Sequence, residues 1–135
     1  ISLDFAATFF ELAGGKITKN VKFDGVNLIP FITGRNDAKP HELFNWRFTI
    51  SAAIREGNWK LIRLPDRLPM LYDLSKDISE QHDVALQNLD RTKAMLKKLG
   101  DWDVHLPHPV FLEGYKWKAR QLDLYDREYP LVQPE

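Results

Sequence analysis

Residues 51–64 read SAAIREGNWKLIRL, and this stretch decides the fold of the chain. Strand-forming residues lie on both sides of Gly57 and Asn58, which supply the positive φ angles that a two-residue hairpin turn requires. The stretch therefore predicts a β-hairpin. Its register pairs Glu56 with Trp59, Arg55 with Lys60, and Ile54 with Leu61.

Two further strands and a helix extend this hairpin. Segments 43–48 and 70–74 have the aromatic and aliphatic composition of strands. A helix is predicted over about 89–102, with lysines on one face and apolar residues on the other. The apolar positions are Thr92 (through its methyl group), Met95, Leu96, Leu99 and Trp102. We therefore expect an α+β fold, in which a small antiparallel sheet of about four strands is covered by a C-terminal amphipathic helix.

A first helix is predicted over residues 2–13, with Ser2 at the N-cap position and Gly14 just after its end. Its polar residues form one narrow stripe, Asp4, Thr8 and Glu11. The rest of its circumference is apolar, so the helix must be buried on most of its surface. It is either the central helix of this small domain, or it packs against a domain that the chain does not carry.

The rest of the chain is less regular. Residues 16–42 are rich in turn formers and predict a connector with one helical turn at 28–32. Residues 105–135 mix proline, aromatic and charged residues without a period, so we expect an irregular tail. The chain thus divides into a helix and connector over 1–41, the sheet and its covering helix over 42–104, and the tail over 105–135.

The composition limits the kinds of protein that the chain can be. It has 135 residues, 19 basic and 19 acidic groups, 44% apolar residues and no cysteine. This is typical of a folded domain, and it lacks the positive charge of a general nucleic-acid binder. No apolar run approaches the roughly 20 residues of a bilayer span, and disulfides and thiolate zinc sites are excluded. Because the chain starts at Ile1 without Met or a leader, we expect a piece of a longer protein.

The hairpin register places two cations, Arg55 and Lys60, directly opposite each other. Like charges in this position repel, and an acidic group or an anionic ligand between them would remove the penalty. We therefore predict an anion site at Arg55 and Lys60, helped by Arg47 on the preceding strand. The alternative is that the long side chains diverge into water.

Aromatic residues on the predicted strands lie near these cations and offer a stacking platform for a sugar ring or an aryl group. They are Trp46, Trp59 and Tyr72. The alternative is that they form the core of the sheet. We include Trp46 with Arg47, Arg55 and Lys60 as the predicted substrate-binding or anion-binding residues.

The other polar residues predict neither a metal site nor a catalytic centre. His105 and His108 lie close to two aspartates, but Pro107 and the lack of a regular element argue against their convergence on a metal. We expect the histidines, including His41 and His82, to be solvated loop residues. The sequence has no glycine-rich phosphate loop, paired-histidine metal helix or Gly-x-Ser-x-Gly elbow, and no serine next to a histidine. We therefore assign no catalytic residue and no metal ligand.

Four segments together, in family order, resemble the C-terminal part of the sulfatases, the arylsulfatase-type sulfuric ester hydrolases. Residues 3–14, LDFAATFFELAG, are similar to the family's Asp-x-x-Pro-Thr-x-x-x-x-Ala-Gly helix, with Ala7 in place of Pro. Residues 24–34, DGVNLIPFITG, are similar to Asp-Gly-x-Ser-Leu-x-Pro-x-Leu-x-Gly. Residues 53–62, AIREGNWKLI, match the Arg-x-Gly-x-Trp-Lys-Leu hairpin. Residues 71–80, LYDLSKDISE, resemble Leu-Tyr-Asp-Leu-x-x-Asp-Pro-x-Glu, with Ile78 in place of Pro.

The resemblance implies a C-terminal fragment of an enzyme that hydrolyses sulfate esters. In the family, a large N-terminal α/β domain binds calcium and carries a Cys/Ser-x-Pro-x-Arg motif whose first residue becomes formylglycine. This chain has no such motif. We therefore expect no cofactor in it and no activity from it alone, with calcium and formylglycine in the missing catalytic domain. We expect the segment to shape the cleft and the choice of a sulfated small molecule or glycan, with Arg47, Arg55 and Lys60 facing the cleft or the domain interface.

The resemblance also implies that helix 2–13 packs on the catalytic domain, and that the parent is secreted, periplasmic or lysosomal. Two other functions stay open. One is a free-standing module that binds anionic glycans. The other is a structural interaction domain, in which helix 2–13 docks on a partner protein or mediates self-association. Neither nucleic acid nor a membrane is an expected partner.

Overall fold

The structure, a computed structural model, describes residues 1–110 and 114–128. The chain divides into two compact units, Ile1–Glu42 and Leu43–Glu135. The first unit contains helices α1 (Leu3–Leu12) and α2 (Ile29–Ile32). The second contains strands β1 (Leu43–Phe48), β2 (Ser51–Glu56), β3 (Trp59–Arg63) and β4 (Met70–Asp73), a 3-10 turn (Leu86–Asn88), and helices α3 (Leu89–Asp103) and α4 (Tyr115–Glu128). None of the described helices is long and apolar enough to cross a membrane.

The second unit is built on a four-stranded antiparallel sheet with the strand order β1-β2-β3-β4. The hairpin has the predicted register, since Arg55 pairs with Lys60 and Ile54 with Leu61. In the turn, Gly57 takes a φ of +59°, whereas Asn58 does not take a positive φ, so only the first of the two predicted positive angles is found. Helix α3 covers one face of the sheet over a core of Ala52, Ile54, Leu61, Leu71, Ala85, Met95 and Leu99. The α+β fold with a small antiparallel sheet and a covering helix is therefore confirmed.

The opposite face of the sheet carries a second cluster of buried residues, Ile62, Leu64, Met70, Tyr72 and Leu74. Strand β4 is therefore buried on both sides. Its Leu71 belongs to the core beneath α3, whereas the neighbouring Met70 and Tyr72 belong to the second cluster. This alternation is what a pleated strand imposes on successive side chains.

In the first unit, α1 faces the opposite way from what its amphipathic pattern suggests. Asp4, Ala7 and Thr8 are its buried residues. The apolar face of α1, whose side chains are 54–64% exposed, consists of Phe5, Phe9 and Leu12. The prediction of a central helix buried on most of its circumference is therefore wrong. The physical reason is that the polar stripe is the side that meets the rest of this unit.

The polar stripe of α1 holds the connector by accepting hydrogen bonds from its backbone. Asp4 Oδ1 accepts from the Val26 amide at 2.9 Å, and Thr8 Oγ1 accepts from the Leu28 amide at 3.0 Å. Between the two chain segments only a glycine fits, because a Cβ on Gly25 would lie 2.4 Å from the backbone of the first residue of α1. The connector is thus fastened along the helix rather than loosely attached to it.

Asp4 accepts two further hydrogen bonds inside this unit. The Ile1 ammonium donates to its Oδ2 at 2.6 Å, and His41 Nε2 lies 2.8 Å from its Oδ1. Burial raises the pKa of Asp4, but these hydrogen bonds and that from Val26 outweigh burial and lower the pKa to about 2. The expectation of a solvated His41 is wrong, because its imidazole is largely buried against this carboxylate.

The tail also differs from the prediction. Residues 105–135 were expected to be irregular, whereas α4 forms over Tyr115–Glu128. This stretch contains no proline or glycine and is rich in Lys, Ala, Arg, Gln and Leu, which favour helix locally. Its apolar and polar residues are separated about as strongly as those of α3, so the prediction of a tail without a period is wrong for this stretch. Residues 111–113 and 129–135 of the tail lie outside the described residues.

Candidate anion-binding face of the sheet

The face of the sheet opposite α3 carries aromatic side chains of β1 and two cations. Residues paired across antiparallel strands share a face, and side chains alternate along each strand. The pairs Phe44–Arg55, Arg55–Lys60 and Lys60–Tyr72 therefore form one row across all four strands. Trp46 lies on the same face, two positions further along β1 and opposite Ala53. We call this surface the aromatic face, and its members are Phe44, Trp46, Phe48, Arg55, Lys60 and Tyr72.

Arg55 has spare hydrogen-bond donors on this face. Its side chain is half-buried, and its Nε donates to the carbonyl oxygen of Gly57 at 3.0 Å, which fixes it beside the turn. Among the described residues, no carboxylate pairs with Arg55 and no acceptor binds its terminal nitrogens. A guanidinium presents its N–H groups as a planar fork, so the two terminal nitrogens remain available for an anion.

Lys60, in contrast, has an acidic partner. Its Nζ donates to Oε1 and Oε2 of Glu80 at 2.6 Å and 2.8 Å. This carboxylate explains how two cations are tolerated directly opposite each other, since it supplies the neutralising charge expected for that pair. Glu80 holds the left-handed φ of +56°, which is uncommon for a residue other than glycine. Sequence reasoning did not single it out, although it ends the fourth sulfatase-like segment.

Arg47 does not lie with the other candidates. It pairs with Ala52, so it lies on the face that α3 covers. Its Nη1 donates to Asp103 Oδ1 at 3.1 Å and its Nη2 to the Pro107 carbonyl oxygen at 2.5 Å. A hydrogen bond from Arg63, followed by one from Arg47, outweighs burial and lowers the pKa of Asp103. In this arrangement Arg47 ties β1 to the end of α3.

The three candidate aromatic residues also separate. Trp46 is 44% exposed, and its ring stacks on Phe44 with centroids 5.7 Å apart. Trp59 lies on the other face, packed against the core beneath α3, and Tyr72 is buried. The exposed platform therefore consists of Trp46 and Phe48, with the partly buried Phe44 stacked against Trp46. Sequence reasoning missed these two phenylalanines, although the period of two along β1 places them on the face of Trp46.

The described part of the chain contains binding groups but no assembled catalytic centre. No three His, Asp or Glu side chains come together there as ligands for a metal ion. The Ser75 hydroxyl donates to Asp73 Oδ1 at 2.5 Å, and this bond lowers the pKa of Asp73. His105 Nδ1 lies 2.7 Å from the carbonyl oxygen of Asp101. Neither contact joins a nucleophile to a histidine base.

No protein-family model matches the sequence, and no curated protein matches it either. Solved structures do match. The carrageenan sulfatase Ps i-CgsB, in complex with k-i-k-neocarrahexaose, has a TM-score of 0.65 and 27% identity over 92% of this chain. BT33336S-sulf, from glycosaminoglycan metabolism of Bacteroides thetaiotaomicron, has a TM-score of 0.60 and 22% identity over 76%. The phosphonate monoester hydrolase of Agrobacterium radiobacter has a TM-score of 0.55 and 21% identity over 75%.

These neighbours are much longer than the chain. It spans 29% of the length of Ps i-CgsB and 24% of the length of each of the other two. At their identities, the latter two show a shared fold alone. As a group, the neighbours are sulfatases and alkaline-phosphatase-like hydrolases, and they support the placement of this chain in that superfamily.

Proposed function

We propose that the chain is the C-terminal segment of an arylsulfatase-type sulfatase, and that its parent enzyme hydrolyses sulfate esters on polysaccharides. The observation that carries the proposal is the match with Ps i-CgsB. Its coverage of 92% of the 135 residues is more than residues 1–104 can account for, so the match extends into the tail. The four sulfatase-like segments of the sequence support the same assignment.

In this proposal, the apolar face of α1 packs on the catalytic domain of the parent. The polar stripe of α1 is already bonded to the connector, so the apolar face is free for an outside partner. The rings of Phe5 and Phe9 stack there with centroids 5.9 Å apart. An exposed apolar surface of this kind is typical of an interface with another domain.

The rest of the parent would supply calcium and formylglycine. The residues of this chain do not fit these groups, because it has no cysteine and its described residues form no cluster of metal ligands. When bound, the calcium and the formylglycine supply charge stabilisation and a nucleophile for the sulfate ester. The part that we assign to this segment is to form one wall of the cleft and thereby to help select the substrate.

The experiment compares the parent enzyme with the isolated chain. Release of inorganic sulfate from a sulfated galactan oligosaccharide is measured beside hydrolysis of an aryl phosphonate monoester. We expect the parent to release sulfate and the isolated chain to release none. Sulfate release by the chain alone, or a parent that cleaves only the phosphonate ester, would contradict the proposal.

A free-standing module for anionic glycans is the second candidate, favoured by the exposed ring of Trp46 near the spare donors of Arg55. It predicts that the isolated chain binds sulfated sugars in a salt-sensitive manner, because salt screens exposed charges. The length of the natural polypeptide separates the two candidates. A chain that continues upstream into a Cys/Ser-x-Pro-x-Arg segment supports the sulfatase, and one that begins at or just before Ile1 supports the module.

A further inference from the structure

We propose that Trp46 and Arg55 form a subsite for one sulfated sugar residue. The indole ring covers an apolar face of the pyranose, and the guanidinium binds the sulfate group. The ligand class rests on the function proposed above, which the subsite makes more specific. Neither residue acts on the scissile ester, so the subsite determines which saccharide is held rather than how it is cleaved.

The aromatic half of the subsite is flanked by Phe44 on the same strand, and Trp46 is 44% exposed. Phe44 stacks on Trp46 at an interplanar angle of 20°, which holds the indole in place on the sheet. Phe48, 53% exposed, continues the same stripe along β1. The C–H groups on one side of a galactose-type pyranose form a flat apolar patch. Covering an aromatic ring with such a patch removes apolar surface of both partners from water.

The ionic half of the subsite is Arg55 rather than Lys60. The ammonium of Lys60 is already held by both carboxylate oxygens of Glu80. The terminal nitrogens of Arg55 have no acceptor among the described residues. A planar guanidinium can also bind two oxygens of one sulfate through parallel N–H···O bonds, whereas an ammonium acts as a point charge.

The sheet sets the separation between the two halves. Arg55 is directly opposite Phe44 and therefore diagonal to Trp46. The backbones of diagonal positions on neighbouring antiparallel strands lie about 7–8 Å apart. The Arg55 side chain bonds to Gly57 at the turn, which lies on the far side of Arg55 from Trp46. The sulfate of a sugar stacked on Trp46 is therefore directed toward the turn when it binds the terminal nitrogens of Arg55.

The test is a calorimetric titration of the full 135-residue chain with a sulfated galactan hexasaccharide and with its desulfated counterpart. The variants are Trp46→Ala, Arg55→Ala and Arg55→Lys. The matched controls are Trp117→Ala, an exposed tryptophan on α4, and Lys97→Ala, an exposed cation on α3. Circular dichroism and thermal denaturation establish that each variant is folded.

We expect Trp46→Ala and Arg55→Ala each to weaken binding of the sulfated sugar about tenfold, the effect of losing one good contact. Arg55→Lys weakens it less, since the charge remains but the two-pronged contact does not. The desulfated sugar binds more weakly to the unmodified chain and is insensitive to Arg55→Ala. Neither control changes the affinity.

Three results overturn the subsite: affinities unchanged in both Trp46→Ala and Arg55→Ala, equal losses in the two controls, or no binding by the unmodified chain. These results are independent of the sulfate-release assay on the parent. If the parent releases sulfate and the titration fails, only the subsite is wrong. If the titration succeeds and the parent releases no sulfate, the sulfatase assignment is wrong.

Discussion

Replacing Asp4 by Asn tests whether one buried carboxylate fastens the connector to α1. Asp4 has no exposed surface and accepts from the Ile1 ammonium at 2.6 Å, the Val26 amide at 2.9 Å and His41 Nε2 at 2.8 Å. Asparagine keeps one acceptor oxygen but turns an NH₂ group toward the remaining donors. At least one buried donor then loses its acceptor, which costs about 1–3 kcal/mol.

The lowered pKa of Asp4 gives this contribution a pH dependence. In the isolated 135-residue chain, where the Ile1 nitrogen is an ammonium, burial raises the pKa, but hydrogen bonds led by that from this ammonium lower it to about 2, from an ordinary value of 3.8. The folded chain therefore binds this proton more weakly than the unfolded chain. The stabilisation is present in full above about pH 5 and is lost as the pH falls from about 4 to about 2. At about 1.4 kcal/mol per pKa unit, the shift corresponds to about 2 kcal/mol at neutral pH.

The assay is urea denaturation at about pH 7 and about pH 2, with hydrogen exchange of the Val26 amide as the local probe. We expect Asp4→Asn to lower the free energy of unfolding of the first unit by about 2–3 kcal/mol at neutral pH, and by much less near pH 2. Asp37→Asn is the matched control, because Asp37 is exposed in the same unit. The reasoning is refuted if the control loses as much stability, or if the effect of Asp4→Asn is the same at both pH values.

Three further predictions concern two glycines, the end of α3 and the apolar face of α1. We expect Gly25→Ala to lower the Tm, because the new Cβ would lie 2.4 Å from backbone atoms of Leu3. Gly100→Ala is the matched control: its Cβ has no atom within 4 Å, and alanine favours helix by up to about 1 kcal/mol, so the Tm should not fall. Asp103→Ala leaves Arg47 and Arg63 without their shared acceptor, so we expect the free energy of unfolding, measured by urea denaturation, to fall by about 1–3 kcal/mol. The control Asp101→Ala, at an exposed position of the same helix, should lower it by at most about 0.5 kcal/mol. Hydrogen bonds from its arginine partners lower the pKa of Asp103, so its contribution to stability is lost as the pH falls. The stability of Asp103→Ala should therefore decrease less on acidification than that of the unmodified chain. Phe9→Glu leaves the Tm of the chain nearly unchanged, because Phe9 is 63% exposed, but abolishes binding to the catalytic domain of the parent in a pull-down; retained binding would contradict the docking proposal.

The hairpin could be predicted because its signals are local. Gly57 and Asn58 set the length of the turn, and the turn sets the register, so the opposition of Arg55 and Lys60 follows. The acidic partner of Lys60 could not be predicted in the same way. Glu80 lies 20 positions later, beyond β4, in a loop whose direction no periodic pattern specifies.

Only some residues of the candidate site could be predicted from the sequence. The strand alternation that excludes Arg47 from the site could have been applied to the sequence but was not. Trp46 and Arg47 are neighbours on a strand, so they point to opposite faces and cannot both meet the ligand of Arg55. The same parity rule places Phe44 and Phe48 beside Trp46. What the sequence does not give is how exposed each residue is, since Tyr72 is 1% exposed and Trp46 44% exposed although both lie on the same face of the sheet.

The inverted burial of α1 is the feature that best separates the two candidate functions. A surface helix normally turns its apolar face to the core and its polar face to water. In α1 the polar stripe is the inner side, and Asp4 and Thr8 accept backbone amides that would otherwise lose their bonds to water. The polar side of the helix thus binds the connector, and the apolar side is removed from water only if it packs on another protein surface. A free-standing glycan module leaves that face without a partner, so such a module would have to associate with itself through α1. A segment of a larger sulfatase needs no such association, because under the proposed function the catalytic domain would cover the face.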